Sequence, residues 1–101
     1  MTEQTTAAPG RTQRARDLVD DFNDLSIASA AALDRALKDG ARKYAPGEWR
    51  RVAAAEHLLH ADNHARAALA GCGREELRVH LAHLLTRAAM AWRLFQEEEA
   101  R

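Results

Sequence analysis

Cysteine is nearly absent: Cys72, set between two glycines, is the only one in 101 residues. An internal disulfide is therefore excluded, and a reducing, cytoplasmic compartment is expected. Only two prolines and five glycines interrupt the chain, so long helices are permitted. Five aromatic residues and no sustained run of β-branched side chains leave little from which to build a sheet. No apolar run approaches the roughly 20 residues that a bilayer crossing needs. The amino terminus has no charged-then-apolar leader, so neither export nor a membrane partner is expected. Net charge is missing too, because fifteen basic residues offset fifteen acidic ones. A global field of the kind that gathers nucleic acid is excluded, and any anion site must be local.

What remains is alanine, leucine and charge at helical spacing, which predicts an all-α domain, a small three-to-four-helix bundle. Residues 1–15 are rich in Thr, Gln, Ala, Pro and Gly and form an expected flexible tail. Residues 16–101 form a single helical domain, with Leu18, Val19 and Phe22 in a separate short helix or at the start of the next. The first firm helix is expected over 24–39, capped by Asp24 or Ser26 and closed by Gly40 in the left-handed conformation. Pro46-Gly47 breaks the chain before a second helix over 48–70, and Gly71-Cys72-Gly73 separates it from a third over 74–98. Leu77, Leu81, Leu84, Ala88, Ala91 and Phe95 are expected to face the core of the third helix. Its apolar surface, widened by Met90 and Leu94, exceeds what three helices can cover, so a homo-oligomer is expected.

All five histidines lie on the last two helices. His57, His60 and His64 follow at spacings of three and four, and His80 and His83 at three, so each set returns to one side of its helix. If the two stripes face each other, the imidazoles form a compact site suited to a transition metal or an anion. Histidines at helix edges also serve as hydrogen-bonded structural groups, the commoner use of any single one. Glu56, Asp62 and Glu76 are the carboxylates within reach of the stripes, each alone an ordinary solvated charge. Lys43, Arg50, Arg51 and Arg66 can grip phosphates beside the amino end of the second helix, or can simply make up a charged surface. Tyr44 and Trp49 flank the Pro-Gly turn and can stack on a base or pin the loop, with packing the commoner use of Trp49. Cys72 is a turn residue without a nucleophile's neighbours.

Ala36-Leu37-Lys38-Asp39-Gly40-Ala41-Arg42-Lys43-Tyr44, then Trp49-Arg50, Asn63-His64, Ala68-Leu69-Ala70-Gly71 and His80-Leu81-Ala82-His83 occur in that order. Over about residues 25–95 this series resembles the dATP/dGTP diphosphohydrolase amino-terminal domain family of phages and bacteria. Glu48 and Asn63 stand where that family has asparagine and arginine, and its acidic stretch before His80 is shortened to Gly73-Arg74-Glu75-Glu76. The resemblance implies metal-dependent hydrolysis of a purine deoxynucleoside triphosphate to monophosphate and pyrophosphate. It implies a divalent metal held by His64, His80 and His83, with His60 beside them and Glu76 or Asp62 assisting as catalytic carboxylates. Lys43 and Arg50 would neutralise the polyphosphate, and Tyr44 or Trp49 would contact the base. The alternative from the residues alone is a non-catalytic helical module that oligomerises or binds a nucleotide or partner. A DNA-binding regulator is disfavoured by the neutral charge and the lack of a basic recognition helix.

Overall fold

Three helices and one 3₁₀ turn make up residues 10–101, the part of the chain that the computed structural model describes. In chain order they are α1 (Arg11–Gly40), the 3₁₀ turn (Glu48–Arg51), α2 (Ala54–Ala70) and α3 (Arg74–Glu99). No strand occurs among the described residues, and the domain is all-α. No helix among them is long and apolar enough to cross a membrane.

Helix α1 is longer than its caps and periodicity predict. Neither proline nor glycine stands between Arg11 and Asp39, so nothing stops propagation, and Asp24 and Ser26 lie inside the helix instead of capping it. The segment around Phe22 is therefore the start of this helix. Of the expected tail, residues 11–15 are helical, and residues 1–9 lie outside the described residues. Gly40 does not take the left-handed conformation; Ala41 follows in right-handed geometry, and its N–H donates to the Leu37 carbonyl at 2.9 Å. The left-handed residues are Gly47 (φ 75°), at the Pro-Gly turn, and Gly71 (φ 100°), after α2.

The second helix starts later than expected. Val52 (φ −91°, ψ 134°) and Ala53 (φ −63°, ψ 146°) are extended, and they separate the 3₁₀ turn from α2. Here β-branched Val52 and the needs of the loop outweigh simple helical periodicity. The Glu48 carboxylate accepts the N–H of Ala45 at 2.9 Å and closes that loop. At the start of α3, Glu76 reaches back to accept the Gly73 N–H at 3.0 Å, satisfying an amide just outside the helix.

Helix α3 is the central element, packed on α2 along one side and on α1 along another, while α1 and α2 do not pack together. Its inner face differs from the expected one. Of the expected residues Ala91 is buried and Leu77 and Leu84 are half-buried, but Leu81, Ala88 and Phe95 are exposed. Ala82 and Thr86 are buried instead, with His80, His83, Arg87 and Met90 half-buried. On α2 the same choice recurs: His57 and Ala61 are buried, and Leu58, Leu59 and Leu69 face outward. Alanine lets the backbones approach closely, and the imidazoles fill the seam with groups that need hydrogen-bond partners. The amino-terminal part of α1 lies beyond this body, leaving Leu18, Val19, Phe22, Leu25 and Ile27 all more than half exposed.

Candidate functional site

A cavity of about 570 Å³ opens between the carboxyl end of α1, the loop leading to α2 and the inner face of α3. That volume falls within the range of small-molecule sites. Leu37, Tyr44, Pro46, Trp49, Val52 and Met90 give it apolar walls, and Glu48, Glu56, His60, His83 and Arg87 give it polar ones. The loop owes its turn to Gly47, whose φ is positive, and the Tyr44 ring rests beside Gly40.

Behind the cavity, His57 is fully buried, at 0% exposure. Its two ring nitrogens have different partners, and these fix the tautomer: Nε2–H donates to the Trp49 carbonyl at 2.9 Å, and Nδ1 accepts from Arg87 Nη1 at 3.0 Å. The Trp49 ring meets His57 edge-on, with centroids 6.5 Å apart. On its other side the Arg50 guanidinium lies 4.5 Å from the Trp49 ring centroid and pairs with Glu97. One imidazole thus ties the loop, α2 and α3 together.

The expected convergence of histidines occurs for three of them. His64 and His80 meet Nδ1 to Nδ1 at 3.0 Å, so one ring donates and the other accepts. The His64 and His83 ring centroids are 5.3 Å apart. His83 Nε2–H donates to Asp39 at 3.2 Å, fastening α3 to the last turn of α1. Burial holds the His64 pKa below the ordinary imidazole value, and the charges of His83, His80, Arg87 and His60 push it the same way. In chemical type these donors suit a nitrogen-preferring divalent ion. In position they are already engaged with one another. Among the described residues no three His, Cys, Asp or Glu side chains are placed to hold one ion.

The remaining expected residues are dispersed. His60 lines the cavity and lies 3.9 Å from Glu56. Lys43 is exposed in the turn after α1 and is not among the lining residues. Asp62 pairs with Arg66 at 2.7 Å on the outer side of α2, and Glu76 caps α3. Asp39, His57 and Arg87 are residues to which sequence reasoning gave no particular role in the site, although His57 and Arg87 lie on the histidine stripes. Arg87 stands one turn after His83 on the same stripe, and only its contact with His57 gives it a role. Asp39 sits beside a glycine at a helix end, and nothing local marks it as a partner for a histidine 44 residues away.

A family model described as dATP/dGTP diphosphohydrolase, N-terminal, matches residues 8–101. No curated protein and no solved structure matches the chain.

Proposed function

Because the chain belongs to the dATP/dGTP diphosphohydrolase N-terminal family, we propose that it takes a purine deoxynucleoside triphosphate into its cavity and hydrolyses it to monophosphate and pyrophosphate. The observation that carries this reading is the cavity itself, where two aromatic rings stand in one wall with imidazole and guanidinium groups in the same lining. In this reading Tyr44 and Trp49 flank a base and His60 donates to a phosphoryl oxygen. Asp39, accepting from His83 Nε2, sets the orientation of that ring. Water adds to the α-phosphorus, the bond to the oxygen bridging to the β-phosphorus breaks, and the proton of the water is released. His64, His80 and His83, the metal ligands that the family resemblance implies, are engaged with one another and with Asp39 and offer no ready ligand set to a divalent ion in this arrangement. The test is incubation with each deoxynucleoside triphosphate and a panel of divalent metals, with chromatographic separation of the products. Monophosphate and pyrophosphate from dATP or dGTP are expected; no turnover by a folded sample with any pair removes the hydrolytic reading.

A second reading is favoured by the outward leucines: a module that associates with a second copy of itself. Residues 12–28 carry four aspartates against two arginines, whereas the chain as a whole is neutral, so the body carries the complementary charge. The exposed apolar stripe of this acidic segment can therefore dock on the Leu58, Leu59 and Leu81 faces of another copy. Light scattering on the eluted protein tests it. A dimer or larger species that L18E/F22E turns into a folded monomer supports the reading, and a monomeric native chain overturns it.

A further inference from the structure

The arginines whose side chains are described fall into two groups, and Arg87 belongs to neither. Arg35, Arg50, Arg66, Arg78 and Arg93 each reach a carboxylate. Arg14, Arg16, Arg42, Arg51, Arg74 and Arg101 stand exposed, where water compensates their charge. Arg87 is half-buried, lines the cavity and has no carboxylate partner among the described residues. Its one protein hydrogen bond among them runs from Nη1 to the His57 Nδ1 at 3.0 Å, leaving most of its five N–H groups without an acceptor. The acids in the cavity wall are turned to other uses: Glu48 closes the loop at Ala45, and Glu56 lies by His60.

With no carboxylate beside it, the guanidinium keeps its charge and its remaining N–H groups for whatever enters the cavity, water or an anion. The identity of its holder makes the arrangement specific. A carboxylate in the place of His57 would orient Arg87 and also neutralise it. An imidazole nitrogen orients the guanidinium while leaving its whole charge for a ligand. His57 is confined to that accepting role because its other nitrogen donates to Trp49.

We propose that Arg87, positioned by His57, is the anion anchor of the cavity, built to take a phosphoryl group of a polyphosphate in a two-pronged hydrogen bond. That the polyphosphate belongs to a nucleotide rests on the reading above; the anchor itself does not. Arg87 would touch the ligand directly, and His57 is a positioning residue that acts through it.

Calorimetric titration of the full chain with inorganic tripolyphosphate, and separately with dATP, tests the assignment. The native protein should bind tripolyphosphate saturably, R87K about ten-fold more weakly because lysine keeps the charge and loses the fork, and R87Q not measurably. R74Q, at an exposed arginine outside the cavity, should bind as the native chain does. For His57, the guanidinium resonance of Arg87 in nitrogen-15 NMR should be distinct in the native protein and merge with the solvent-exposed arginines in H57Q, with helicity by circular dichroism unchanged. An R87Q protein that binds tripolyphosphate normally overturns the proposal, as does a folded native chain that binds none. Tripolyphosphate bound through Arg87 without any binding of dATP would leave the anchor standing and remove the nucleotide reading. Normal binding of dATP to R87Q would do the reverse.

Discussion

Replacing His57 by alanine should cost this domain much of its stability, although histidine is rarely thought of as a core residue. Among the described residues the ring is the one large side chain that is fully buried, amid a core otherwise made of Ala36, Ala61, Ala82, Ala91 and Thr86. Truncation leaves the Trp49 carbonyl and an Arg87 N–H unpaired, at about 1–3 kcal/mol for each buried group. It also opens a void where the imidazole stood, and voids of this kind add to the loss of the removed atoms. Because both partners lie near the cavity and water can reach them, the low end applies, and the loss should be about 3 kcal/mol. For a domain whose total is on the order of 5–15 kcal/mol, that is a large fraction. Urea unfolding followed by circular dichroism measures it as a lower midpoint at unchanged slope. H60A, one turn along at an exposed position, should lose less than about 0.5 kcal/mol. A loss below about 1 kcal/mol for H57A would refute the claim that this ring joins loop, α2 and α3.

Other consequences follow from the same contacts. The depressed pKa of His64 means that its neutral form is favoured on folding, so this contribution is complete above the ordinary imidazole pKa of about 6.5 and is lost as pH falls through the lowered value. Urea midpoints between neutral and mildly acidic pH should therefore drop in the native chain and drop less in H64N. The Glu75 carboxyl is held below its usual range by the hydrogen bond from Arg35 and then that from Arg78, so its contribution is present above the ordinary glutamate pKa and lost at lower pH. Both partners are exposed, so the effect should be small, vanish in E75Q and shrink with added salt, as thermal melts in acid would record. Gly47→Ala should destabilise by about 1 kcal/mol because its φ is 75°. Gly40→Ala should instead stabilise by about 0.5–1 kcal/mol, since the position is helical and a β-carbon there meets only Tyr44 at 3.8 Å. Thermal unfolding of the pair separates the two effects.

The limits of α3, the break at Pro46-Gly47 and the meeting of His64 with His80 and His83 were legible because each depends on local spacing or on glycine and proline, whereas the left-handed residue after α1 is Gly47 and not Gly40. The full length of α1 was not. Asp24 and Ser26 are good caps in principle, and only the lack of any breaker on either side, a weaker signal, argues for continuity. The break at Val52 and Ala53 has neither proline nor glycine to announce it, and it follows from the loop's hydrogen bonds. The inner faces were misjudged because leucine outweighs alanine and histidine in any reading of amphipathicity, while in this chain the leucines of α2 point outward. Contacts such as His83 with Asp39 and Arg87 with His57 join elements far apart in sequence, so only the tertiary arrangement reveals them.

Trp49 sits in the cavity wall, whereas Trp92 stands outside it, exposed beside Phe95. In a W92F protein the remaining indole therefore reports on the cavity alone. Titration with dATP and dGTP should change its emission saturably, and excess unlabelled tripolyphosphate should weaken the response. Unchanged Trp49 emission up to millimolar nucleotide, from a sample folded by circular dichroism, would contradict the assignment of this cavity to a nucleotide.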